Sequence, residues 1–279
     1  MVEHSPNKAG DRNFDDLAQR FAHRVYGGLK GEIRLAVLWR DIEQCIQPLE
    51  RQGKTLSVLD VGGGLGQLAI RLAMRGHNVV FNDISATMMQ HAREQAMHAG
   101  VEGDIEWHLG GYQQLLPDLG HRFDLILCHA MLEWLAQPQA LVPLLAPQLA
   151  DEAHLSLCFY NPAAKVYRNL IRGNFDWLKA QISYQSDAGS LTPNNPSSIE
   201  QVRQWLTAAR LSTVCESGIR VFHDYVVDKR GGHQSASDVL AMELEHSRQR
   251  PYKELGRYFH ILSRPNIDIS DDISNNTNK

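Results

Sequence analysis

Three glycines at alternate positions, Gly62, Gly64 and Gly66, follow a short apolar run that ends in Asp60 and Val61. Leu56, Val58, Leu59 and Val61 predict a buried strand, and residues 68–73 predict a helix just after the turn. Strand, glycine turn and helix in that order put the turn at the carboxyl end of a strand, where nucleotide-like ligands bind. Glycine accepts positive φ there and lets a ligand touch backbone that a Cβ would cover. A dinucleotide site needs G-x-G-x-x-G, but Gln67 stands where the last glycine would fall, so the spacing points away from a dinucleotide. A second acid, Asp83, follows about twenty residues on and closes the next strand, where a carboxylate accepts both hydroxyls of a ribose. Its plainer reading is a helix cap, but Ser85 already offers one.

Other candidates flank this turn. Arg34 lies one turn into a predicted helix before the first strand, as a lid residue or a surface arginine; His129 follows the fourth strand, as a cavity residue or a structural one. Glu133 and Trp134 read as packing and helix-start residues. Between Ala163 and Ile182, Lys165, Arg168, Arg172 and Lys179 face one acid, Asp176, and are interleaved with Tyr167, Phe175 and Trp177, with Tyr184 just beyond. Basic and aromatic residues so mixed suit nucleic acid, by phosphate pairing and base stacking. The plainer reading is a helical cap whose aromatics are core.

Net charge is −4 overall but −7 over residues 55–160, so the remainder carries +3 and could meet an anionic partner. Cys45, Cys128, Cys158 and Cys215 form no C-x-x-C pair and read as reduced core residues of a cytoplasmic protein, with no metal site. No apolar run is long enough for a membrane span, and the start is not a signal peptide. No Ser–His–Asp constellation is evident.

Positioning these residues takes an α/β fold. Strands are predicted at residues 56–61, 78–83, 105–109, 123–128, 154–160, 212–222 and 257–262, with a bulge at Gly218. Helices are predicted from Phe14 through Leu17, Phe21, Ala22 and Val25, and over 30–51, 86–99, 138–149, 197–209 and 236–248. Strands separated by helices give a doubly wound, mostly parallel seven-stranded sheet; the antiparallel placing of the last strand beside the sixth is what resemblance to a known fold implies. Residues 13–264 are expected to form one unit, with N-terminal lid helices at 13–54, a basic and aromatic insertion at 161–196 and a second insertion at 223–256. Residues 1–12 and 265–279 are expected to be disordered.

Asp60 with the G-x-G-x-G spacing resembles motif I of class I S-adenosylmethionine-dependent methyltransferases, so the sheet is a Rossmann-like methyltransferase sheet by resemblance. Further strings are more specific: Asn13-Phe14-Asp15-Asp16, Tyr26-Gly27, Leu38-Trp39, His129-Ala130-Met131-Leu132-Glu133-Trp134, Gly173-Asn174-Phe175-Asp176, Arg220-Val221-Phe222-His223-Asp224-Tyr225 and Gly256-Arg257-Tyr258. In order along residues 13–264, they resemble the bacterial tRNA 5-carboxymethoxyuridine methyltransferase family.

The resemblance implies methyl transfer from S-adenosyl-L-methionine to the carboxylate of 5-carboxymethoxyuridine at the wobble position, with the anticodon arm of a tRNA as partner. It implies cofactor contacts at Arg34, Gly62, Gly63, Asp83, Tyr112, Gln113 and His129, beside Asp60 and Gly64 of the loop. Many class I members carry Gly-Asp after the third strand; here the run is Gly110-Gly111-Tyr112-Gln113, so backbone amides and Gln113 must read the adenine. A carboxylate acceptor is already ionised and needs no general base. It needs partners, for which Tyr160, Arg168, Arg220, His223, Tyr225 and Arg257 are candidates. Two alternatives stand: a methyltransferase for a quinone or metabolite, and a non-enzymatic cofactor- or RNA-binding module.

Overall fold

The computed structural model describes residues 10–15, 27–179, 193 and 195–266. Leu17, Phe21, Ala22, Val25 and Tyr26 of the first predicted helix, Tyr184, the rest of 180–192, residue 194, residues 1–9 and the tail from 267 lie outside them.

Seven strands make one sheet in the order β3-β2-β1-β4-β5-β7-β6. They are β1 (Ser57–Val61), β2 (Asn78–Asp83), β3 (Ile105–Leu109), β4 (Phe123–His129), β5 (Leu149–Tyr160), β6 (Leu211–Ile219) and β7 (Tyr258–Pro265). The first five are parallel, and β7 runs antiparallel between β5 and β6. Helices α1 (Gly28–Arg51), α2 (Gln67–Ala73) and α3 (Ala86–His98) precede β3; α4 (Tyr112–Leu115) and α5 (Leu141–Leu145) flank β4. After β5 come α6 (Pro162–Ile171), α7 (Phe175–Lys179), α8 (Ile199–Ala208) and α9 (Ala236–His246). Apolar side chains of α1, α2, α3 and α9 pack on one face of the sheet, and those of α4, α5 and α8 on the other. Both faces are therefore covered, which is why Val58, Leu59 and Val61 are all buried rather than alternating. The chain winds outward from β1 to β3 and returns to β4 on the other side of β1, leaving a crevice at the strand ends there.

Three local expectations change. The helix expected over 138–149 is broken into 3-10 turns around the short α5, because Pro143 and Pro147 lack the amides a longer helix needs, and β5 already starts at Leu149. The strand irregularity falls between Thr213 and Cys215, not at Gly218. Gly218 is needed for contact instead: a Cβ there would lie 2.3 Å from the Lys253 carbonyl oxygen. The third change is the N-terminal stretch read as disordered, part of which is fastened at the cavity described next.

All four cysteines are free thiols. Burial pushes Cys45 up to about 12, Cys158 and Cys215 up to about 11, and Cys128 well above the ordinary thiol range. A thiol reagent at mildly alkaline pH should therefore label the native chain slowly and the unfolded chain fast. A rapid native burst, followed by absorbance, would contradict this.

Candidate active site

The glycine turn closes on itself and on β2. The Gly63 amide donates to the Asn82 carbonyl, and the Gly66 amide to the Gly63 carbonyl. Gly62, Gly64 and Gly66 all have φ between 59° and 71°, a conformation that side chains disfavour. A Cβ on Gly63 would lie 2.3 Å from the Phe81 ring and 2.9 Å from Asp60 Oδ2, whereas one on Gly64 would meet nothing within 4 Å. We expect Gly63→Ala to displace the loop and cost about 3 kcal/mol, and Gly64→Ala to cost about 1 kcal/mol of backbone strain alone. Thermal melts of the two variants test that order.

Asp83, at the end of β2, holds the loop from below. Its Oδ2 accepts from the Gly64 amide at 2.8 Å and its Oδ1 from the Ser85 amide at 2.8 Å. Ser85 caps α3 through the Met88 amide, so the cap reading belongs to Ser85. Burial raises Asp83 above the usual carboxylate range, against the pull of those amides. Asp60 is buried beside it, and burial with the Asp83 charge pushes it up to about 7.

A cavity opens between these loops and the end of β4. Gly62, Gly64, Asp83, Tyr112, Gln113 and His129 line it, with Ile84, Met88, Met131 and Trp134 as apolar walls. Asp60, Gly63 and His129 line a smaller adjoining cavity under Leu35 and Leu38 of α1. Ala130 turns the chain with φ 56°, and the turn lays Met131 over the alpha-carbon of Gly62, where a Cβ would be 2.5 Å from the sulfur. Arg34 is 2% exposed, so the surface reading fails. Its guanidinium stacks 4.0 Å from the Tyr258 ring centre, and its charge acts on His129, which lines the cavity, and on Glu133 and Cys158, which like Arg34 itself do not. Glu133 is more than packing: it is a buried carboxyl that burial pushes up to about 7, against the Arg34 charge.

Residues 10–15 form one edge of the cavity. Asp11 accepts from Gln113 Nε2 at 2.7 Å and from the Ala136 amide at 2.9 Å, and the Arg12 amide donates to the Trp134 carbonyl. Phe14 sits edge-on to Trp134, and Asp15 accepts from Ser85 Oγ. Gln113, expected at the adenine, thus has its amide hydrogen on Asp11. Asn82 ties the other side together, donating to the His108 and Gly110 carbonyls. Neither Asp11 nor Asn82 was singled out by sequence; a lone asparagine inside an apolar strand was the available signal.

Five of the six acceptor-side candidates fall into two groups, and Tyr225 stands apart from both. Tyr160, Arg257 and Arg220 gather around Tyr258 at the ends of β5 and β7. Arg257 stacks 4.8 Å from the Tyr160 ring, Arg220 lies 5.4 Å from the Tyr258 ring, and the two rings meet edge-on. Arg220 also pairs with Asp224 at 3.5 Å. Arg168 and His223 instead line a cleft of about 250 Å³ with Lys30, Arg172, Lys229 and His233. Burial lowers His223, leaving it a neutral imidazole. The Tyr225 hydroxyl donates to the Leu255 carbonyl and is committed there. The string that contains these residues is shaped by Glu243, whose buried carboxylate accepts from the Val221, Phe222 and His223 amides. Lys30 of the cleft and Arg34 are one turn apart on α1. None of Arg168, Arg172, Arg220 and Arg257 lines the glycine-loop cavity.

Among the described residues, no group of three or more His, Cys, Asp or Glu side chains could hold a metal ion, and no helix is long and apolar enough to cross a membrane.

Comparison with known proteins places this geometry. Residues 58–147 match a family described as a methyltransferase domain. The chain is 38% identical over 254 residues to the tRNA 5-carboxymethoxyuridine methyltransferase of Escherichia coli K12, covering 91% of this chain and 96% of that protein. It is 30% identical over 156 residues to a ubiquinone biosynthesis O-methyltransferase of Pectobacterium carotovorum, covering 50% of this chain and 63% of that one. Among solved structures, magnesium protoporphyrin IX methyltransferase from Synechocystis PCC 6803 superposes with a TM-score of 0.55 at 17% identity, over 91% of this chain and 96% of that one, which establishes the shared fold. The glycine loop, Asp83 and the cleft beyond β5 all lie within one continuous relationship, and the chain belongs to the tRNA 5-carboxymethoxyuridine methyltransferase family.

Proposed function

We infer that this chain transfers a methyl group from S-adenosylmethionine to the carboxylate of 5-carboxymethoxyuridine at the tRNA wobble position, forming the methyl ester. The observation that carries this is the relationship to the Escherichia coli enzyme across 91% of the chain, strands, loops and insertions alike. The ubiquinone-pathway relative matches only half of it.

The cavity fits the methyl donor. Asp83 uses one lone-pair site on each oxygen for backbone amides and keeps the others for ribose hydroxyls. Gly64 exposes bare backbone, and Ile84, Met88 and Tyr112 offer apolar surface to a base. Arg34, whose charge acts on His129, is our candidate for an amino-acid carboxylate. When bound, S-adenosylmethionine supplies an electrophilic methyl on a cationic sulfur. The chain need not remove a proton, because the acceptor carboxylate is ionised at neutral pH. Its residues align the acceptor and exclude water, and an arginine held by an aromatic ring, as Arg257 is by Tyr160, can hold a carboxylate without a full clamp. We assign the anticodon arm to the side of the basic cleft.

The purified chain, S-adenosylmethionine and tRNA lacking only this methyl group should give the ester, read by nucleoside mass spectrometry. Transfer to free acids with none to tRNA would overturn the reading.

Asp60 adds a pH signature. A cationic ligand beside it favours the ionised form, so its pKa is lower in the complex than the value of about 7 in the free chain. Donor affinity should therefore rise with pH toward about 7 and level off above it, with a proton released on binding below that point. Calorimetry in buffers of different ionisation enthalpy reads that proton; uptake would contradict the sign. Without ligand, the folded chain holds this proton more tightly than the unfolded chain. Asp60's contribution to stability is then largest at acid pH and declines until the pH passes about 7.

A further inference from the structure

The chain that follows β6 is held from inside by one side chain. Glu243 of α9 is 0% exposed. Its Oε2 accepts from the Val221 amide at 2.7 Å, and its Oε1 from the His223 amide at 2.8 Å and the Phe222 amide at 3.2 Å. Successive peptide planes are thus pinned to a single carboxyl group. All its partners are backbone N–H groups, which only donate, so Glu243 is the acceptor in every one of these bonds. The sheet ladder does not supply those acceptors, because β6 ends at Ile219. Backbone closes the loop from the other side. The Gly218 amide donates to the Ser247 carbonyl, and a Cβ on Gly256 would lie 2.6 Å from the Ile219 nitrogen.

Arg220 is the residue this clasp governs. Its φ is 60°, a conformation that side chains disfavour, and such residues persist where their surroundings over-determine them. Strand alternation stops here, for Ile219, Arg220 and Val221 are all buried. The Arg220 guanidinium lies 5.4 Å from the Tyr258 ring centre, on a ring that Arg34 approaches to 4.0 Å. Beyond burial, the charges of Arg34 and Arg220 both act on Cys158, the β5 neighbour of His129 in the cavity wall. Arg220 Nε is buried with no hydrogen-bond partner among the described residues, and Asp224 is met only at 3.5 Å. Buried donors are ordinarily bonded, so this guanidinium has donor capacity left, and a carboxylate matches its fork.

Peptide geometry links the two residues. The Val221 N–H and the Arg220 carbonyl belong to one plane. Glu243 Oε2 fixes its nitrogen end, and the Arg257 amide, 3.4 Å from the Arg220 carbonyl oxygen, fixes the other. We propose that Glu243 is a positioning residue for the acceptor carboxylate: by fixing this peptide it keeps Arg220 turned inward, with its guanidinium beside Tyr258 on the acceptor side. The assignment rests on the reading of the acceptor as a carboxylate. Glu243 acts through Arg220 and touches no substrate.

Glu243→Gln keeps the size of the side chain and removes one acceptor. If its oxygen serves Phe222 and His223, its NH2 faces the Val221 N–H, donor against donor, and the peptide after Arg220 must turn away. With the full-length chain and tRNA lacking only this methyl group, kcat/KM should fall about 30-fold. S-adenosylmethionine affinity, read by calorimetry, should stay within about twofold. The deciding measurement is a double-mutant cycle. Arg220→Ala alone should cost at least as much as Glu243→Gln. In the Arg220→Ala background, Glu243→Gln should then cost at most about threefold, because no guanidinium is left to place. A merely structural anchor costs the same factor in both backgrounds, and that equality would overturn the proposal. So would a Glu243→Gln chain that melts cooperatively and methylates as the parent does. If Glu243→Gln does not fold, Glu243→Asp, which keeps the acid and draws its oxygens back by a methylene, takes its place in the cycle. A parent that methylates only free acids would overturn the tRNA reading instead, and the same cycle run with that acid still decides the role of Glu243. A parent that methylates no carboxylate would overturn both.

Discussion

Asp83→Asn should weaken S-adenosylmethionine binding by roughly 100-fold, the loss of two charge-assisted hydrogen bonds to ribose hydroxyls. The substitution keeps the size of the side chain but leaves only one oxygen. Gly64 and Ser85 each aim an amide at this group, one at each carboxylate oxygen. In the variant, the single oxygen satisfies one of them and an NH2 faces the other. The loop should therefore also lose about 1–3 kcal/mol of stability before any ligand is added. Calorimetry gives the affinity, and a thermal melt of the ligand-free chain gives the second number. Binding within threefold of the parent would mean that the ribose lies elsewhere. Asp60→Asn is the matched control. Asp60 is partly proton-bound near neutrality, with its pKa about 7, and its replacement should cost far less affinity.

The cavity was legible because its chemistry is local. The strand, the glycines and Asp83 lie within some twenty residues, and their types are dictated by backbone shape and by one carboxylate. Sequence reached the strands and the acids at the ends of β1 and β2 for that reason, while the antiparallel last strand followed from resemblance to a known fold. Residues whose role depends on register were out of reach. Asp41 looks like the charged side of an amphipathic helix until β7 places His260 against it. Asp11 sits in a polar start that composition alone reads as disordered, yet Gln113 and Ala136 tie it down from more than 100 positions away. The acceptor candidates fared in between. Their types were right for an anion, but the order of the chain could not reveal that Arg168 and His223 share a cleft with Lys30 while Arg220 and Arg257 share Tyr258 and Tyr160.

That cleft carries the other large expected effect. Lys30→Ala, Arg168→Ala and Arg172→Ala combined should reduce tRNA affinity about 100-fold at physiological salt and lower the salt slope by about 2, as three lost phosphate contacts on a single strand require. Lys30 is half exposed and reaches Asp224 only at 3.9 Å. Burial lowers the pKa of Arg168, and repulsion from the charges of Arg172 and Arg257 lowers it further. Like charges held this close are unfavourable in the free chain and become favourable when an anion arrives, so part of the binding energy is relief of repulsion. The donor cavity shares no lining residue with the cleft. S-adenosylmethionine affinity should therefore stay within about twofold while tRNA binding collapses. A gel-shift series across salt, run beside calorimetry for the donor, separates the two. Equal slopes for variant and parent would move the RNA backbone to another face, and the exposed apolar side of α6, at Val166, Leu170 and Ile171, would be next to test.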